Sequence, residues 1–412
     1  MRREIVIQKY GGATIDTIEK IQKVAAHIKK TNETKAVVVV VSAMGNETDD
    51  LLAMALKISQ TPSSRELDKL LVTGEEKTSA LMAMAIQALG IEVISFTGFQ
   101  IGLETDATYT KAKVIRIRNL GQIQSLIEAG KIPVVAGFQG VIEGTNEVVT
   151  LGRGGSDITA VSLAGALRAS FCEIYKDVDG IFTVDPRIVP GAKRLTRIPY
   201  DQMVDLAEGG AAVLMTRCVI LARNLGVKIK VLLSPSLGET IGGTLVDAGA
   251  NSDTTLEGLM WAQPAIAIQK GLALVNVAGV PNQPMMAAKI LGAIRNINLI
   301  DATQGQGEEK ANISVLCETA VAPIILENIK ESLKETAGIT ITTQTGIVGL
   351  TLADPLMPDE PGYVWRACEA VGRVGVNIET ISSSGATILV SIREEGLERA
   401  ARALAEEFNL LA

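Results

Sequence analysis

Apolar and polar residues alternate in blocks along the first half of the chain, and this alternation predicts a parallel α/β sheet. Ala36–Val41 is an unbroken aliphatic run, long enough for a buried strand and too rich in β-branched residues for a good helix. Thr78–Leu89 and Asp157–Arg168 show helical spacing of apolar residues. Further strands are predicted at Glu4–Lys9, Ile91–Phe96, Ile132–Gly137, Phe171–Tyr175 and Val227–Leu233. Such alternation indicates helices on both faces of a sheet, with ligands bound beyond the carboxyl ends of the strands.

A weak internal repeat replaces this pattern after about Pro235. Each copy has a strand, a loop with a proline, a helix, an asparagine and a further strand. The proline is Pro284 in the first copy and Pro361 in the second, and the asparagine is Asn298 and then Asn377. Units of this size are too small to bury both faces alone. We therefore expect the two copies to pair side by side, within the chain or across subunits.

The composition of the chain mainly excludes classes of protein, such as nucleic-acid-binding and membrane proteins. A chain of 412 residues has room for two or three domains, and 3% aromatic residues require aliphatic cores. A formal net charge of −7 argues against binding to nucleic acid or to an anionic membrane. The four cysteines and the single histidine show no metal-ligand spacing, so buried free thiols and no metal site are expected. With no signal peptide and no apolar stretch of about 20 residues, the expected location is the cytoplasm.

Three glycine-rich turns follow predicted strands, and the first of them reads Lys9-Tyr10-Gly11-Gly12. Glycines let the backbone approach an anion closely, and the N–H groups at the start of a following helix point at it. Lys9 would add a positive charge beside transferring phosphate oxygens. A glycine pair before a helix is also an ordinary structural turn, and the sequence lacks a Walker loop.

The second turn, Gly152–Asp157, opens a predicted helix and contains three glycines and an arginine. Arg153 can hold a carboxylate through two parallel hydrogen bonds. Asp157 has two interpretations, a functional carboxylate or a simple helix cap. A further carboxylate, Glu75, stands at another helix start, where it either complements the helix dipole or pairs with the ammonium group of a substrate.

The third turn begins at Lys176-Asp177 and ends at Asp185-Pro186-Arg187. It is either an acidic turn between a strand and a loop or part of a nucleotide site. In the second interpretation Asp177 lies near Mg²⁺ or the ribose, and Arg187 lies near the phosphates.

Together these segments resemble the aspartate kinase family, and the resemblance extends over nearly the whole chain. The segments that carry it are Lys9–Gly12, Val41–Gly45 through Thr48, Thr73–Glu75, Val134–Gly140, Gly152–Asp157, Asp177–Gly180 and Asp185–Arg187. The repeat in the second half is similar to paired ACT domains, which sense amino acids. The resemblance implies a mostly parallel sheet sandwiched by helices, of the amino-acid-kinase type, plus two ferredoxin-like (βαββαβ) ACT domains. The implied boundaries are 1–245 for the catalytic domain, 262–337 for one ACT domain, and 246–261 with 338–412 for the other.

The implied activity is transfer of the γ-phosphoryl group of MgATP to the β-carboxylate of L-aspartate. The product would be 4-phospho-L-aspartate, at the first step of lysine, threonine and methionine biosynthesis. The family also implies feedback by an amino-acid effector, lysine or threonine, and a homo-oligomer formed through the ACT domains. ATP and Mg²⁺ are the implied cofactors.

The resemblance also assigns roles to residues. Lys9 would stabilise the transferring phosphoryl group, and Asp157 would organise that lysine. The implied substrate-binding residues are Ser42, Thr48, Glu75, Arg153 and Ser156. The implied ATP-binding residues are Gly11, Gly12, Lys176, Asp177, Phe182, Asp185 and Arg187. Gln304 and Asn377 match positions that often face the effector.

The chain departs from the family pattern at five positions. Ala13 replaces a usual hydroxyl residue, Lys176 replaces a usual Thr or Ser, and Ala212 replaces a usual lysine. One hypothesis is that Lys176 supplies the charge lost at residue 212. Met285 and Gly385 depart from the ACT pattern. Two alternatives stay open: a divergent amino-acid kinase with another acidic substrate, and a catalytically impaired subunit that only binds amino acids.

Overall fold

The computed structural model describes residues 3–211, 213–239, 242–249, 263–307 and 309–412, which form two compact units. The first unit comprises residues 1–181, 194–207 and 212–263, and the second comprises residues 182–193, 208–211 and 264–412. Ala212 lies outside the described residues, as do residues 250–261 of the segment 246–261 that was predicted to belong to the second ACT domain.

Strands and helices alternate up to residue 247, as the sequence pattern predicts. The strands are β1 (Ile5–Tyr10), β2 (Ala36–Val41), β3 (Val93–Phe96), β4 (Leu103–Thr105), β5 (Val114–Ile117), β6 (Ile132–Ala136), β7 (Gln139–Ile142), β8 (Val148–Thr150), β9 (Phe171–Lys176), β10 (Ile181–Phe182), β11 (Arg194–Leu195), β12 (Arg197–Pro199), β13 (Ile229–Leu233) and β14 (Thr244–Asp247). The helices are α1 (Ile18–Asn32), α2 (Glu47–Ile58), α3 (Ser64–Leu71), α4 (Thr73–Gln87), α5 (Leu120–Glu128), α6 (Gly155–Leu167), α7 (Tyr200–Glu208) and α8 (Thr216–Leu225).

Eight of these strands form the central sheet of the first unit, in the order β12-β14-β13-β9-β1-β2-β6-β3. Neighbouring strands are parallel except β13 and β14, which are antiparallel. A smaller sheet in the same unit has the order β5-β4-β7-β8. The prediction of a mostly parallel sheet is confirmed.

The two faces of the central sheet are covered by different helices, because successive residues of a strand point to opposite faces. Val6 and Tyr10 of β1 share a core cluster with apolar residues of α1 and α4. Lys9, which points the other way, contacts Asp157 of α6. Every residue of β2 is buried, as its unbroken aliphatic sequence predicts.

Helix α4 begins at Thr73, five residues before the predicted start at Thr78. It follows α3 directly, because Val72 between them keeps helical backbone angles. Glu75 therefore lies in the first turn of α4, as expected.

The second unit contains six strands in one antiparallel sheet, in the order β16-β17-β15-β18-β20-β19. Its elements are β15 (Ala265–Pro281), α9 (Met286–Ala293), β16 (Asp301–Gln306), β17 (Lys310–Glu318), α10 (Ala322–Ser332), β18 (Thr340–Ala353), α11 (Tyr363–Arg373), β19 (Ile378–Ser384), β20 (Thr387–Arg393) and α12 (Leu397–Glu407). The order strand, helix, strand, strand, helix occurs twice, which agrees with two ACT-like copies.

The two copies complete each other by sharing their long strands. Residues 265–269 of β15 pair with residues 349–353 of β18 in the second copy, and residues 340–345 of β18 pair with residues 273–278 of β15 in the first copy. The strand that the second copy borrows is thus at 265–269, further along the chain than the predicted 246–261. Two separate clusters, one for each copy, form the apolar core.

Residues 182–193, which interrupt the first unit in the sequence, fold into the second unit. Val184 and Val189 are buried in the core of the second copy with Leu410. The hydroxyl of Thr183 donates a hydrogen bond to the carbonyl oxygen of Leu410 at 2.7 Å. The N–H of Ala412 donates a hydrogen bond to the carbonyl oxygen of Gly191 at 2.8 Å. The predicted boundary at residue 245 does not separate this segment from the repeat.

Candidate active site

The carboxyl ends of β6, β2, β1 and β9 lie along one edge of the first unit's sheet, because these strands are parallel neighbours. The N–H of Gly11 donates a hydrogen bond to the carbonyl oxygen of Tyr175 at 3.4 Å, and the N–H of Gly137 donates to that of Val41 at 2.9 Å. The turns that follow these strands are therefore neighbours, as their positions in the sequence predict.

Glycines allow these turns to approach one another closely. A Cβ added to Gly12 would lie 2.8 Å from the carbonyl oxygen of Ala43, and one added to Gly137 would lie 2.7 Å from the Cβ of Ser156. The Cβ on Gly137 would also lie 2.9 Å from the Cα of Ser156. Real Cβ atoms do not come this close to other heavy atoms, so both positions require glycine. The Lys9 turn is thus packed on the turn after β2, and the end of β6 is packed on the start of α6.

Lys9, Asp157 and Lys176 form an ionic triad in which one carboxylate holds two ammonium groups. The Nζ of Lys9 lies 2.6 Å from Oδ1 of Asp157, and the Nζ of Lys176 lies 3.0 Å from Oδ2 of the same residue. The Lys9 and Asp157 side chains are 5% and 2% exposed, and the Lys176 side chain is 19% exposed. Asp157 is therefore an ionic partner of both lysines, which excludes the simple-cap interpretation.

The triad keeps Asp157 ionised at neutral pH. Burial by itself favours the neutral acid, but Lys176 and Lys9 outweigh burial and hold the pKa of Asp157 at about 2. Burial lowers the pKa of Lys9 from its ordinary value, and Asp157 opposes that shift. The three groups together carry a net charge of +1 when both lysines are protonated, which suits an anionic ligand.

The start of α6 presents its backbone at the same edge of the sheet. Gly152 and Gly154 have φ angles of 77° and 72°, in the left-handed region that favours glycine, and a Cβ on Gly154 would lie 2.2 Å from Cγ of Met215. Ser156 in the first turn is buried, and Arg153 is exposed. Within the described ranges the guanidinium of Arg153 forms no ion pair. A helix start of this kind offers N–H groups and a positive dipole end to an anion.

Glu75 is a buried carboxylate at the start of α4. Its pKa is raised to about 7, mainly by burial and to a smaller extent by Glu47, against the lowering effects of backbone hydrogen bonds at Ala43 and Glu75 and of the charge on Lys9. Its Oε2 has no hydrogen-bond partner among the residues that the structure describes. Lys77 pairs with Glu47 at 2.5 Å, so Glu47 already has a cationic partner, whereas Glu75 forms no ion pair with the described residues. Nothing in the sequence pattern pointed to Glu47.

Ser42 and Thr48 are half-buried at the same edge, Ser42 directly after β2 and Thr48 in the first turn of α2. Gly11 stands directly after β1, and a Cβ there would lie 3.6 Å from the Nζ of Lys9. Asp177 follows β9 and is exposed. The strand and helix ends of the first unit therefore carry most of the predicted site residues.

Three of the predicted ATP-binding residues belong instead to the second unit. Phe182, Asp185 and Arg187 lie in the segment 182–193. The Nη2 of Arg187 donates to Oδ2 of Asp185 at 2.7 Å, and its Nε donates to Oδ1 at 3.0 Å. This two-point pair orients a guanidinium whose side chain is 79% exposed. Their role toward a nucleotide stays a prediction, as does the exchange of charge between Lys176 and residue 212.

Gln304 and Asn377 are both exposed in the second unit. Gln304 is on β16, and Asn377 directly precedes β19. These two strands are the opposite edges of the six-stranded sheet, so the two residues do not share one site within a chain.

A buried polar network under the strand ends was missed by the sequence reasoning. The amide of Gln8 and the hydroxyl of Tyr175 both donate to Glu173 at 3.0 Å, and the Nε2 of His27 lies 2.9 Å from the same hydroxyl. Burial lowers the pKa of His27, which favours the neutral imidazole. The network joins β1 to β9 and so fixes the strands that present Lys9 and Lys176. Its one signal in the sequence is the presence of Gln8 and Glu173 inside otherwise apolar strands.

The described residues contain no group of three or more His, Cys, Asp or Glu side chains that could hold a metal ion. In kinase sites Mg²⁺ is usually bound by one or two carboxylates and by the substrate phosphates, and it keeps several waters. No helix in the described parts of the chain is both long and apolar enough to cross a membrane.

Comparison with known families gives two matches on this chain. The profile described as the amino acid kinase family matches residues 4–233, and the profile described as the ACT domain matches residues 351–408. The first match includes Lys9, Glu75, Asp157 and Lys176, and the second lies in the second copy of the repeat.

Individual proteins agree with these matches. The curated aspartokinase of Mycobacterium tuberculosis is 41% identical over 415 residues, covering 98% of this chain and 96% of the relative. The crystal structure of aspartate kinase from Synechocystis is 35% identical, with a TM-score of 0.55, and the match covers 99% of this chain and 69% of that chain. Aspartokinase III of E. coli in complex with aspartate and ADP shares the fold at 21% identity, with a TM-score of 0.75 and coverage of 98% and 100%.

Proposed function

The chain belongs to the amino acid kinase family and within it to the aspartokinases, and on that premise we propose that it makes 4-phospho-L-aspartate from ATP and L-aspartate. The γ-phosphoryl group passes to the β-carboxylate of aspartate, and ADP leaves. This reaction serves as the first step toward lysine, threonine and methionine. It needs no covalent enzyme intermediate, because positioning and electrostatic stabilisation carry most phosphoryl transfers.

The observation that carries this proposal is the ion pair of Lys9 with Asp157 at the glycine-lined strand ends. Asp157 fixes the ammonium group of Lys9, so the positive charge is already in place when negative charge builds up on the migrating phosphoryl group. Gly11 and Gly12 let backbone N–H groups approach the same phosphates.

The acceptor amino acid is held by groups of opposite charge. The buried carboxylate of Glu75, which has an unpartnered oxygen, takes the ammonium group of aspartate. Arg153 takes a carboxylate through two parallel hydrogen bonds. Ser42, Thr48 and Ser156 line the pocket with hydroxyl groups. Binding an ammonium group favours the ionised form of Glu75 and offsets the effect of burial on its pKa.

In this proposal Asp177, in the turn after β9, contacts ATP, and Mg²⁺ arrives on the phosphates. Phe182, Asp185 and Arg187 of the second unit stay candidate ATP contacts. Bound Mg²⁺ would neutralise charge on the phosphate oxygens. The two-point contact with Asp185 holds the guanidinium of Arg187 in one orientation.

The ACT repeat provides feedback control by an amino-acid effector. Gln304 and Asn377 bind this effector next to the two edge strands of the six-stranded sheet. Edge strands carry unpaired backbone groups, so a second copy of the chain can add to each edge. We therefore propose a homo-oligomer formed through these edges, in which each effector site joins residues of two copies.

A hydroxylamine assay tests the proposed reaction directly, because hydroxylamine converts an acyl phosphate to a hydroxamate. We expect ATP-dependent hydroxamate from L-aspartate, and its loss in Lys9→Met. Hydroxamate from another acidic amino acid alone would point to a divergent kinase. Nucleotide binding with no product from any acid would point to an impaired, amino-acid-binding subunit.

A further inference from the structure

Lys176 is the least expected member of the ionic triad, since a cation at this position is not needed to organise Lys9. Asp157 already has an ionic partner in Lys9, at 2.6 Å. Lys176 is the last residue of β9, and its Nζ nevertheless lies 3.0 Å from the other oxygen of the same carboxylate. One buried carboxylate thus holds two positive charges at the edge where the phosphates are proposed to bind.

We propose that Lys176 is a second catalytic cation, which contacts the transferring phosphoryl group together with Lys9. The inference rests on the proposed phosphoryl transfer and adds to it a residue at which this chain departs from the usual family pattern. Asp157 is then a positioning residue for two lysines, and the site applies two ammonium groups to one anion.

The shape of the triad fits this role. A carboxylate and a phosphoryl group both present oxygens that share one central atom and lie side by side. Two ammonium groups that are placed for the two oxygens of Asp157 are therefore spaced for two oxygens of a phosphoryl group. The two Nζ atoms contact the two oxygens of one carboxylate, at 2.6 Å and 3.0 Å, so they lie close to each other.

Burial gives the two lysines different freedom. The side chain of Lys9 is 5% exposed and remains fixed against Asp157, whereas that of Lys176 is 19% exposed. A lysine ammonium is a point charge on a flexible stem. Lys176 can turn toward an incoming nucleotide while Lys9 keeps Asp157 paired, so no buried charge loses its partner.

The charge balance of the step is simple. An oxygen of the acceptor carboxylate forms a bond to the γ-phosphorus, and the bond from that phosphorus to the bridging oxygen breaks. The bridging oxygen leaves on ADP with the electron pair. Both lysines stay protonated throughout and transfer no proton. They act only through their positive charge, which matters most where the phosphoryl oxygens carry the transition-state charge.

The first test compares three single variants in the complete protein. Lys176→Met keeps most of the stem and removes the charge, and Lys176→Arg keeps the charge. Lys131→Met removes a lysine of the same unit that pairs with Glu92 at 2.9 Å on the surface. We expect kcat of Lys176→Met to fall on the order of 10²-fold, as for loss of one donor to a transition-state charge, with a small change in KM for ATP. Lys176→Arg should recover part of the loss, and Lys131→Met should match the wild type.

Two kinetic outcomes would overturn the inference. Full kcat in Lys176→Met would show that the second cation is not used. A raised KM for ATP with unchanged kcat would make Lys176 a ground-state nucleotide contact only.

A binding measurement separates this inference from the proposed reaction. The dissociation constant of MgADP alone is compared with that of MgADP with aluminium fluoride, which imitates the transferring phosphoryl group. Lys176→Met should weaken the aluminium fluoride complex far more than the MgADP complex. Equal weakening of both would contradict a transition-state role. If the wild type makes no hydroxamate from aspartate, the proposed reaction fails, yet this ratio still reports on Lys176.

Discussion

In the first unit, the candidate functional charges are buried: Lys9 near the end of strand β1, and Asp157 and Glu75 in the first turns of helices α6 and α4. In the second unit, the candidate effector-binding residues Gln304 and Asn377 are exposed. Burial in the first unit has moved the pKa of Glu75 to about 7, while the two lysines hold that of Asp157 at about 2.

This difference in burial suits two different functions, catalysis and regulation. Buried charges are held in fixed geometry and lose little energy to reorganisation, which suits stabilisation of a transition state. Exposed polar groups on edge strands and loops are screened by water and can move, which suits binding and release of a regulator. We expect substitutions of buried charge in the first unit to damage chemistry, and substitutions in the ACT repeat of the second unit to change stability or regulation.

The largest effect is expected from Asp157→Asn. The change leaves two lysines beside a neutral amide, so neither ammonium group is held in place and their repulsion is no longer compensated. We expect kcat/KM to fall roughly 10³-fold, measured by coupled ADP release.

Asp354→Asn is the matched control in the second unit. Asp354 is also buried, and its Oδ2 accepts a hydrogen bond from Tyr363 at 2.6 Å. The control should lower the urea midpoint and leave kcat/KM close to the wild-type value. Equal kinetic damage from both variants would remove the distinction between the units.

The next largest effect is expected from Leu410→Ala. Leu410 is buried with Val184 and Val189, so its side chain joins the segment 182–193 to the second copy of the repeat. We expect the free energy of unfolding to fall by about 3 kcal/mol in urea titrations, as is typical of a buried leucine. Leu356→Ala, at a partly exposed position of the same unit, is the control and should cost much less. Similar losses in both variants would argue that Leu410 is not a core residue.

A third prediction concerns the KM for aspartate below pH 7. The pKa of Glu75 is raised to about 7, because burial outweighs the lowering effects of backbone hydrogen bonds and of Lys9. Lower pH therefore protonates Glu75 and removes the charge that pairs with the ammonium group of aspartate. KM for aspartate should rise on the order of tenfold per pH unit below 7, while KM for ATP changes little. Glu75→Gln should raise KM at pH 8 and abolish this dependence. A flat profile in the wild type would place the ammonium group elsewhere.

The smallest effect is expected at the start of the first helix in each repeat. Met285 has a φ of 70° before α9, where the second copy has Gly362 with a φ of 96° before α11. A side chain costs about 1–2 kcal/mol in this region, and Met285 is exposed, so its removal loses little packing. Met285→Gly should raise the free energy of unfolding by about 1 kcal/mol. Gly362→Ala is the mirror control and should lower it.

The sequence pattern predicted the elements well where several signals agreed. The aliphatic run at Ala36–Val41 became β2 with the same ends, and the run at Phe171–Tyr175 became β9 with one more residue, Lys176. The predicted strand bounds agreed less well where one long strand serves both copies of the repeat. The repeat alone does not reveal that β18 begins as early as Thr340, where its first half completes the other copy.

For the site, sequence alone identified residue types and the strand ends that carry them. It did not identify partners. That Lys176 reaches the same carboxylate as Lys9 depends on β1 and β9 being neighbours and on α6 lying across them. The sequence places Phe182, Asp185 and Arg187 beside Asp177, and the structure folds them into the second unit.

By itself the sequence determined the alternation of strands and helices, the repeat, and the glycine turns, because these depend on local backbone preferences and on the period of apolar residues. The tertiary structure alone decided which charges are buried together, which glycines are required, and which unit holds residues 182–193. Those properties arise from contacts between residues far apart in the chain, since burial and the strength of ion pairs depend on neighbours in space.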